Sequence, residues 1–254
     1  MNNNYRFEIC IDSVQSAINA AEAGAHRVEL CDNLFEGGTT PSAGMIRTVK
    51  KNAAIKVFVI IRPRGGDFLF SSHEAEVMME DISIAKDLGA DGIVSGALTD
   101  EGEIDLILTE KLIKQSGDLP FTFHRAFDMC KNPHKSMNQL IDLGASRILT
   151  SGLKQTAEEG LDNLQQLVEN ASNRIIIMPG SGIKPNNIAL IAAKSKASEF
   201  HFSGRKTFPS KMKFKNDSIN MGGIEGVPEF SLFYSDKETI RQAIRKVTNI
   251  LSKE

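Results

Sequence analysis

The stretch RFEICIDSVQSAINAAEAGAHRVELC, residues 6–31, decides the fold. Arg6 to Ile11 reads as a β-strand, because alternate side chains go to opposite faces and Phe7, Ile9 and Ile11 then share one apolar face. Asp12 and Ser13 supply a cap for an alanine-rich helix that runs to about Ala23. Gly24 offers the left-handed stop, and His26 to Cys31 reads as the next strand. The tripeptide Glu8-Ile9-Cys10 returns as Glu29-Leu30-Cys31, so in each strand a carboxylate and a thiol share a face. Such groups are seldom placed inside a fold without a reason.

The same strand–helix unit repeats outward along the chain. Lys56 to Ile61, Asp91 to Ser95, Leu119 to His124, Arg147 to Thr150, Arg174 to Met178 and Glu199 to Phe202 read as six further strands. All are short and apolar, as a parallel sheet covered on both faces requires. Amphipathic helical segments lie between them at Glu74 to Leu88, Ile104 to Gln115, Pro133 to Leu143 and Thr156 to Glu169. Ala23-Gly24-Ala25, Leu88-Gly89-Ala90 and Leu143-Gly144-Ala145 each close a helix just before a strand. Eight such units with no break in composition predict one domain, a (β/α)₈ TIM barrel, over residues 1–254. Residues 206–235 carry Gly, Pro, Asn and Lys with no period and are expected to form a long loop. A closing helix is expected over 236–251.

Bulk properties narrow the function. Of the 254 residues, 41% are hydrophobic and 24% charged, with a net charge of −2 and both signs well mixed. That balance gives no electrostatic reason to expect nucleic acid or an anionic membrane surface as a partner. No run approaches the roughly 20 apolar residues of a membrane span, and the polar N-terminus lacks a signal-peptide core. The expectation is a cytoplasmic protein. Its three cysteines, Cys10, Cys31 and Cys130, are then reduced thiols, and the absence of a C-x-x-C pair argues against a zinc ribbon.

In a barrel of this kind the working face is the C-terminal end of the strands. Polar groups gather there after strands one, two, three and five. Two alternatives stand for Glu8 and Glu29: a buried ion network with Arg27, Arg62 or Arg125, or an acid/base pair whose pKa values are driven apart. His124 is a candidate proton carrier, Arg62 a further candidate catalytic residue, and Asp128 and Asp67 candidate orienters. Cys10 and Cys31, on neighbouring strands about 4.8 Å apart, offer a third possibility, a shared soft metal such as Cu(I). Cys130 reads as a bystander. After strands seven and eight, Gly180, Ser181 and Gly182 with Ser203, Gly204 and Arg205 form a candidate site for a small anion such as a phosphate.

These stretches resemble the copper homeostasis protein CutC family. The resemblance is carried by Glu8 to Ser13, by Glu29-Leu30-Cys31 through Gly37-Gly38-Thr39-Thr40-Pro41-Ser42, and by Arg62-Pro63-Arg64-Gly65-Gly66-Asp67-Phe68. Thr122-Phe123-His124-Arg125-Ala126-Phe127-Asp128, Gly89-Ala90-Asp91-Gly92 and Leu149-Thr150-Ser151-Gly152 extend it. It implies a cytosolic (β/α)₈ barrel linked to copper handling, dimeric or higher, with the family's Cu(I)-binding cysteines falling on Cys10 and Cys31. The alternative is an enzyme acting on a small anionic or phosphorylated metabolite at the same mouth.

Overall fold

A computed structural model describes residues 5–216, 218–219 and 229–248 of the chain. Eight parallel strands form the sheet: β1 (Arg6–Ile11), β2 (Arg27–Leu30), β3 (Lys56–Ile60), β4 (Gly92–Ser95), β5 (Phe121–Phe123), β6 (Arg147–Thr150), β7 (Ile176–Pro179) and β8 (Glu199–Phe202). Each pairs with its sequence neighbours, β1 also pairs with β8, and β7 lies against β8 to complete the ring. The helices that cover it are α1 (Val14–Ala23), α2 (Ala43–Asn52), α3 (Ser72–Asp87), α4 (Leu106–Ser116), α5 (Pro133–Asp142), α6 (Leu161–Ala171), α7 (Ile188–Ser195) and α8 (Lys237–Thr248). This is the (β/α)₈ barrel expected from the strand pattern.

Local chemistry explains the starts and stops. Ser13 accepts from the Ser16 amide, and Gly24 ends α1 in the left-handed conformation at φ 90°. Ser71 and Glu74 form a reciprocal capping box on α3, and Asn132 caps α5 ahead of Pro133. The apolar faces of the strands, such as Phe7, Ile9 and Ile11 on β1, are buried in the core shared with the helices. Full burial of a side chain of this size contributes about 1.5–3 kcal/mol.

Inside the ring the packing is of a different kind. Phe58, Ile60, Val94 and Cys31 form a small cluster with Cys10 and Leu34 packed on it. The ring of Phe58 lies under the guanidinium groups of Arg27 and Arg147, at 5.1 and 5.2 Å. Gly92 leaves room for that ring, since a Cβ there would stand 2.6 Å from it.

Three expectations are corrected. Strand seven is displaced to Ile176–Pro179. The helix expected from Thr156 begins at Leu161, because residues 151–160 are folded into turns held by Asp128 and by the tight approach of Gly160 to the Ser151 carbonyl. Within 206–235 the expected loop contains an antiparallel ribbon, β9 (Arg205–Pro209) with β10 (Ser231–Ser235). The ribbon is tied to α1: Asn19 Nδ2 donates to the Ser235 carbonyl at 2.8 Å, and the Ser235 amide donates to Ser16 Oγ at 3.0 Å. Residue 217, residues 220–228 and the end of the closing helix expected at 249–251 lie outside the described residues.

Candidate metal centre at the barrel mouth

Register places the site. Glu8 stands level with Arg27 on β2 and His201 on β8, while Cys10 stands level with Glu29. The repeated Glu-x-Cys motifs are therefore staggered by two residues, as the slant of barrel strands demands. Cys31 follows β2 one step higher, and its Sγ lies 3.8 Å from Cys10 Sγ. Glu29 Oε2 lies 3.5 Å from Cys31 Sγ. The donor atoms of Cys10, Glu29 and Cys31 all fall within 4.8 Å of one another. Gly38 closes over them with φ 93°, and a Cβ at that position would stand 3.3 Å from Cys31 Sγ.

Below this group lies a buried ionic layer. Arg27 bridges the carboxylates of Glu8 and Glu199, and Arg147 Nε donates to Glu199 at 3.2 Å. His201 joins the layer to the thiols: Nδ1 lies 2.8 Å from Glu8 Oε1, and Nε2 lies 3.6 Å from Glu29 Oε2. Burial of Glu8 disfavours its charge, but Arg27 and His201 outweigh burial and hold its pKa well below the ordinary carboxylate range. Glu29 meets no arginine among the described residues; burial, followed by the Cys10 charge, pushes its pKa well up against the opposing pull of His201. The thiols also diverge. The hydrogen bond from Cys31 is the main cause lowering Cys10, with His201 assisting against burial, whereas burial and the Cys10 contact raise Cys31. Burial works against a charged His201, yet Glu29, Cys10 and Glu8 together raise its pKa. Two sulfurs this close, with an imidazole and a carboxyl group against them, are a ready acceptor for a soft cation.

The other expected site residues stand elsewhere. His124 is 4% exposed, and its Nδ1 accepts from the Ala126 amide at 3.2 Å. Burial, with Arg62 adding to it, lowers its pKa to about 3, which favours the neutral ring near pH 7. Arg62 donates to the carbonyls of Glu36, Gly38 and Gly66 at 2.8, 3.0 and 2.7 Å, bracing the loop that covers Cys31. Asp128 pairs with Arg125 at 2.7 Å and accepts from Thr150 Oγ1 and the amides of Ser151 and Leu153. It fastens two loops together and does not reach Glu8 or Glu29. Asp67 pairs with Arg64 at 3.0 Å.

Of the expected anion-binding group, Ser181, Gly182, Ser203, Gly204 and Arg205 line one cleft, and Gly180 is not part of its wall. Arg205 is held between the rings of Phe35 and Phe233, 5.2 Å from each, and its Nη2 donates to Asp12 at 3.2 Å. The next helix, α7, starts only at Ile188, five residues beyond Ile183. His201 was missed by sequence reasoning. Its signal was present: Glu199-Phe200-His201 repeats the polar–apolar–polar alternation of Glu8-Ile9-Cys10.

Known proteins resemble this chain in sequence and in fold. A model of the CutC family matches residues 5–206. The chain is 49% identical over 249 residues to the copper homeostasis protein cutC homolog of Homo sapiens, covering 98% of this chain and 91% of that protein. The solved structure of CutC from Streptococcus agalactiae is similar with a TM-score of 0.75 at 37% identity, covering 78% of this chain and 98% of that one. Phosphoribosyl anthranilate isomerase of Thermotoga maritima, 14% identical with a TM-score of 0.57 over 96% of this chain and 99% of its own, shares the barrel fold alone.

Proposed function

This chain belongs to the CutC family, and we propose that its barrel mouth takes up Cu(I) through Cys10 and Cys31 and serves copper homeostasis in the cytoplasm. The observation that carries this is the pair of sulfurs 3.8 Å apart, with the Glu29 carboxylate beside them. Two thiolates select a soft ion, and Cu(I) is the soft ion best served by so few ligands. Among the described residues Cys10, Glu29 and Cys31 gather as donors, with His201 Nε2 3.6 Å from Glu29 beside them.

The donor spacing bears on how the ion would be held. Sulfurs 3.8 Å apart could both hold one soft ion, and Glu29, whose Oε2 lies 3.5 Å from Cys31 Sγ, would be the third donor at hand. The ionic layer beneath supplies the rigidity: Arg27 and His201 fix Glu8, and His201 in turn stands against Glu29. All three cysteines are free thiols, which suits a reducing compartment.

The test is competition for Cu(I) against a chromogenic chelator under reducing conditions. Wild type should extract the ion, and Cys10→Ser/Cys31→Ser should not. Glu29→Gln should bind about 10–100-fold more weakly, the usual effect of losing a group that supports a metal ligand. Equal extraction by wild type and the double serine variant would dispose of the proposal.

A further inference from the structure

A cleft of about 610 Å³ opens between the loops that follow β7 and β8. Its wall includes Cys10 and His201 within the barrel and Lys184 and Lys206 at the loops. The volume falls in the range of sites for small organic molecules. A bare ion between two sulfurs fills only a small part of it.

The charge of the wall is one-sided. Arg125, Lys184, Arg205 and Lys206 contribute to it, and no aspartate or glutamate does. The carboxylates that pair with three of these cations, Asp128, Asp12 and Asp236, stand outside the lining. Lys184 has no side-chain partner among the described residues. In a chain of net charge −2, that concentration of positive charge is local.

The loop after β7 adds backbone donors. Ser181 and Gly182 both take positive φ, 74° and 69°. Ser181 is held there by its Oγ, which donates to the Gln155 carbonyl at 2.8 Å, and by its own carbonyl, which accepts from the Ala157 amide at 3.0 Å. The amides of Ser181, Gly182 and Ser203 find no acceptor within the protein among the described residues. Successive free amides beside cations form a concavity suited to carboxylate or phosphate oxygens. A non-glycine residue held at positive φ in such a loop marks a backbone shaped for more than connection.

The cleft thus joins an anion-binding rim to a thiol floor. We propose that it binds a small thiol bearing carboxylate groups, and that Cu(I) reaches Cys10 and Cys31 as the complex of such a thiol. The second half rests on the Cu(I) proposal above; the first does not. A soft ion in a reducing compartment rich in small thiols is carried as a thiolate complex. The carboxylates of the carrier would rest on Ser181, Gly182, Ser203 and Lys184 while its sulfur reaches Cys10. In the exchange the ion stays Cu(I). Each cysteine sulfur joins the metal as one carrier thiolate leaves, and a proton held by that cysteine departs on the leaving carrier's sulfur.

The test has a copper-free arm and a copper arm. In the first, calorimetry measures binding of S-methylglutathione, whose sulfur is capped, and of its diethyl ester, which lacks the carboxylates. Wild type should bind the acid, and the ester should bind at least about tenfold more weakly, as should the acid to Lys184→Glu, by loss of charge-assisted contacts. Lys184 is exposed, and circular dichroism verifies that the variant is folded. No binding at millimolar acid, or equal affinities across the three pairs, overturns the anion site. In the second arm, stopped-flow measures loading of wild type and Lys184→Glu from Cu(I)–glutathione and from Cu(I)–cysteamine, a thiol without carboxylates. Faster loading of wild type from glutathione, with that advantage lost in Lys184→Glu, supports delivery by an anionic thiol. Equal loading from both donors overturns delivery alone, and no loading from either overturns the Cu(I) proposal with it, while the calorimetry still decides the anion site.

Discussion

Acidification from pH 7 to pH 5 should destabilise this barrel through His124, and the size of the effect follows from where that ring sits. His124 is buried, its Nδ1 is committed to the Ala126 amide, and the Arg62 charge stands near it. Burial lowers its pKa from 6.5 to about 3. The folded pKa is depressed, so the proton is taken up by the unfolded chain first, and stability falls as pH drops below 6.5 until it reaches the folded value. Over the interval from pH 7 to pH 5 the unfolded ring gains most of a proton and the folded ring gains almost none. Linkage then gives a loss of about 2 kcal/mol from this one group. His124→Asn retains a side-chain acceptor for the Ala126 amide and does not titrate. Urea unfolding of both proteins at pH 7, 6 and 5 isolates the effect, because other titrating groups are common to both. The stability difference between wild type and His124→Asn should move by about 2 kcal/mol in favour of the variant at pH 5. A difference that stays constant across the three pH values would refute the reasoning, and would mean that the ring is hydrated or charged in the folded state.

Other consequences of the same structure can be checked directly. Arg27→Met leaves Glu8 and Glu199 buried without their shared cation, and should cost about 3–5 kcal/mol in urea unfolding at pH 7; a loss under 1 kcal/mol would mean that the layer is not the brace described here. Gly92→Ala sets a methyl group against the Phe58 ring and should cost about 1–3 kcal/mol. Combining it with Phe58→Leu should recover part of that loss, and strict additivity in the double-mutant cycle would count against the close contact.

The fold was legible because the eight strands bury both faces and so stand out as short apolar runs between capped helices. Ser13, the Ser71–Glu74 pair and Gly24 act within one turn of the chain, which is why helix starts and stops could be read locally. The meeting of Cys10 with Cys31 was also foreseeable, since a period of two on adjacent strands sends both inward. What was not legible depended on register or on distant pairing. His201 reaches Glu8 and Glu29 only because β8 closes on β1, a contact between residues nearly two hundred positions apart. The β9–β10 ribbon pairs Arg205–Pro209 with Ser231–Ser235 across a polar stretch that carries no strand signal of its own. His124 reads as a proton carrier by residue type, and the burial beside Arg62 that lowers its pKa is set by the fold.

X-ray absorption at the copper edge, on protein loaded with one Cu(I) per chain, tests the shared sulfur site most directly. Two sulfur neighbours per copper in wild type, absent from Cys10→Ser/Cys31→Ser, is the predicted result. A shell of nitrogen or oxygen without sulfur, or the same spectrum from the double serine variant, would contradict it.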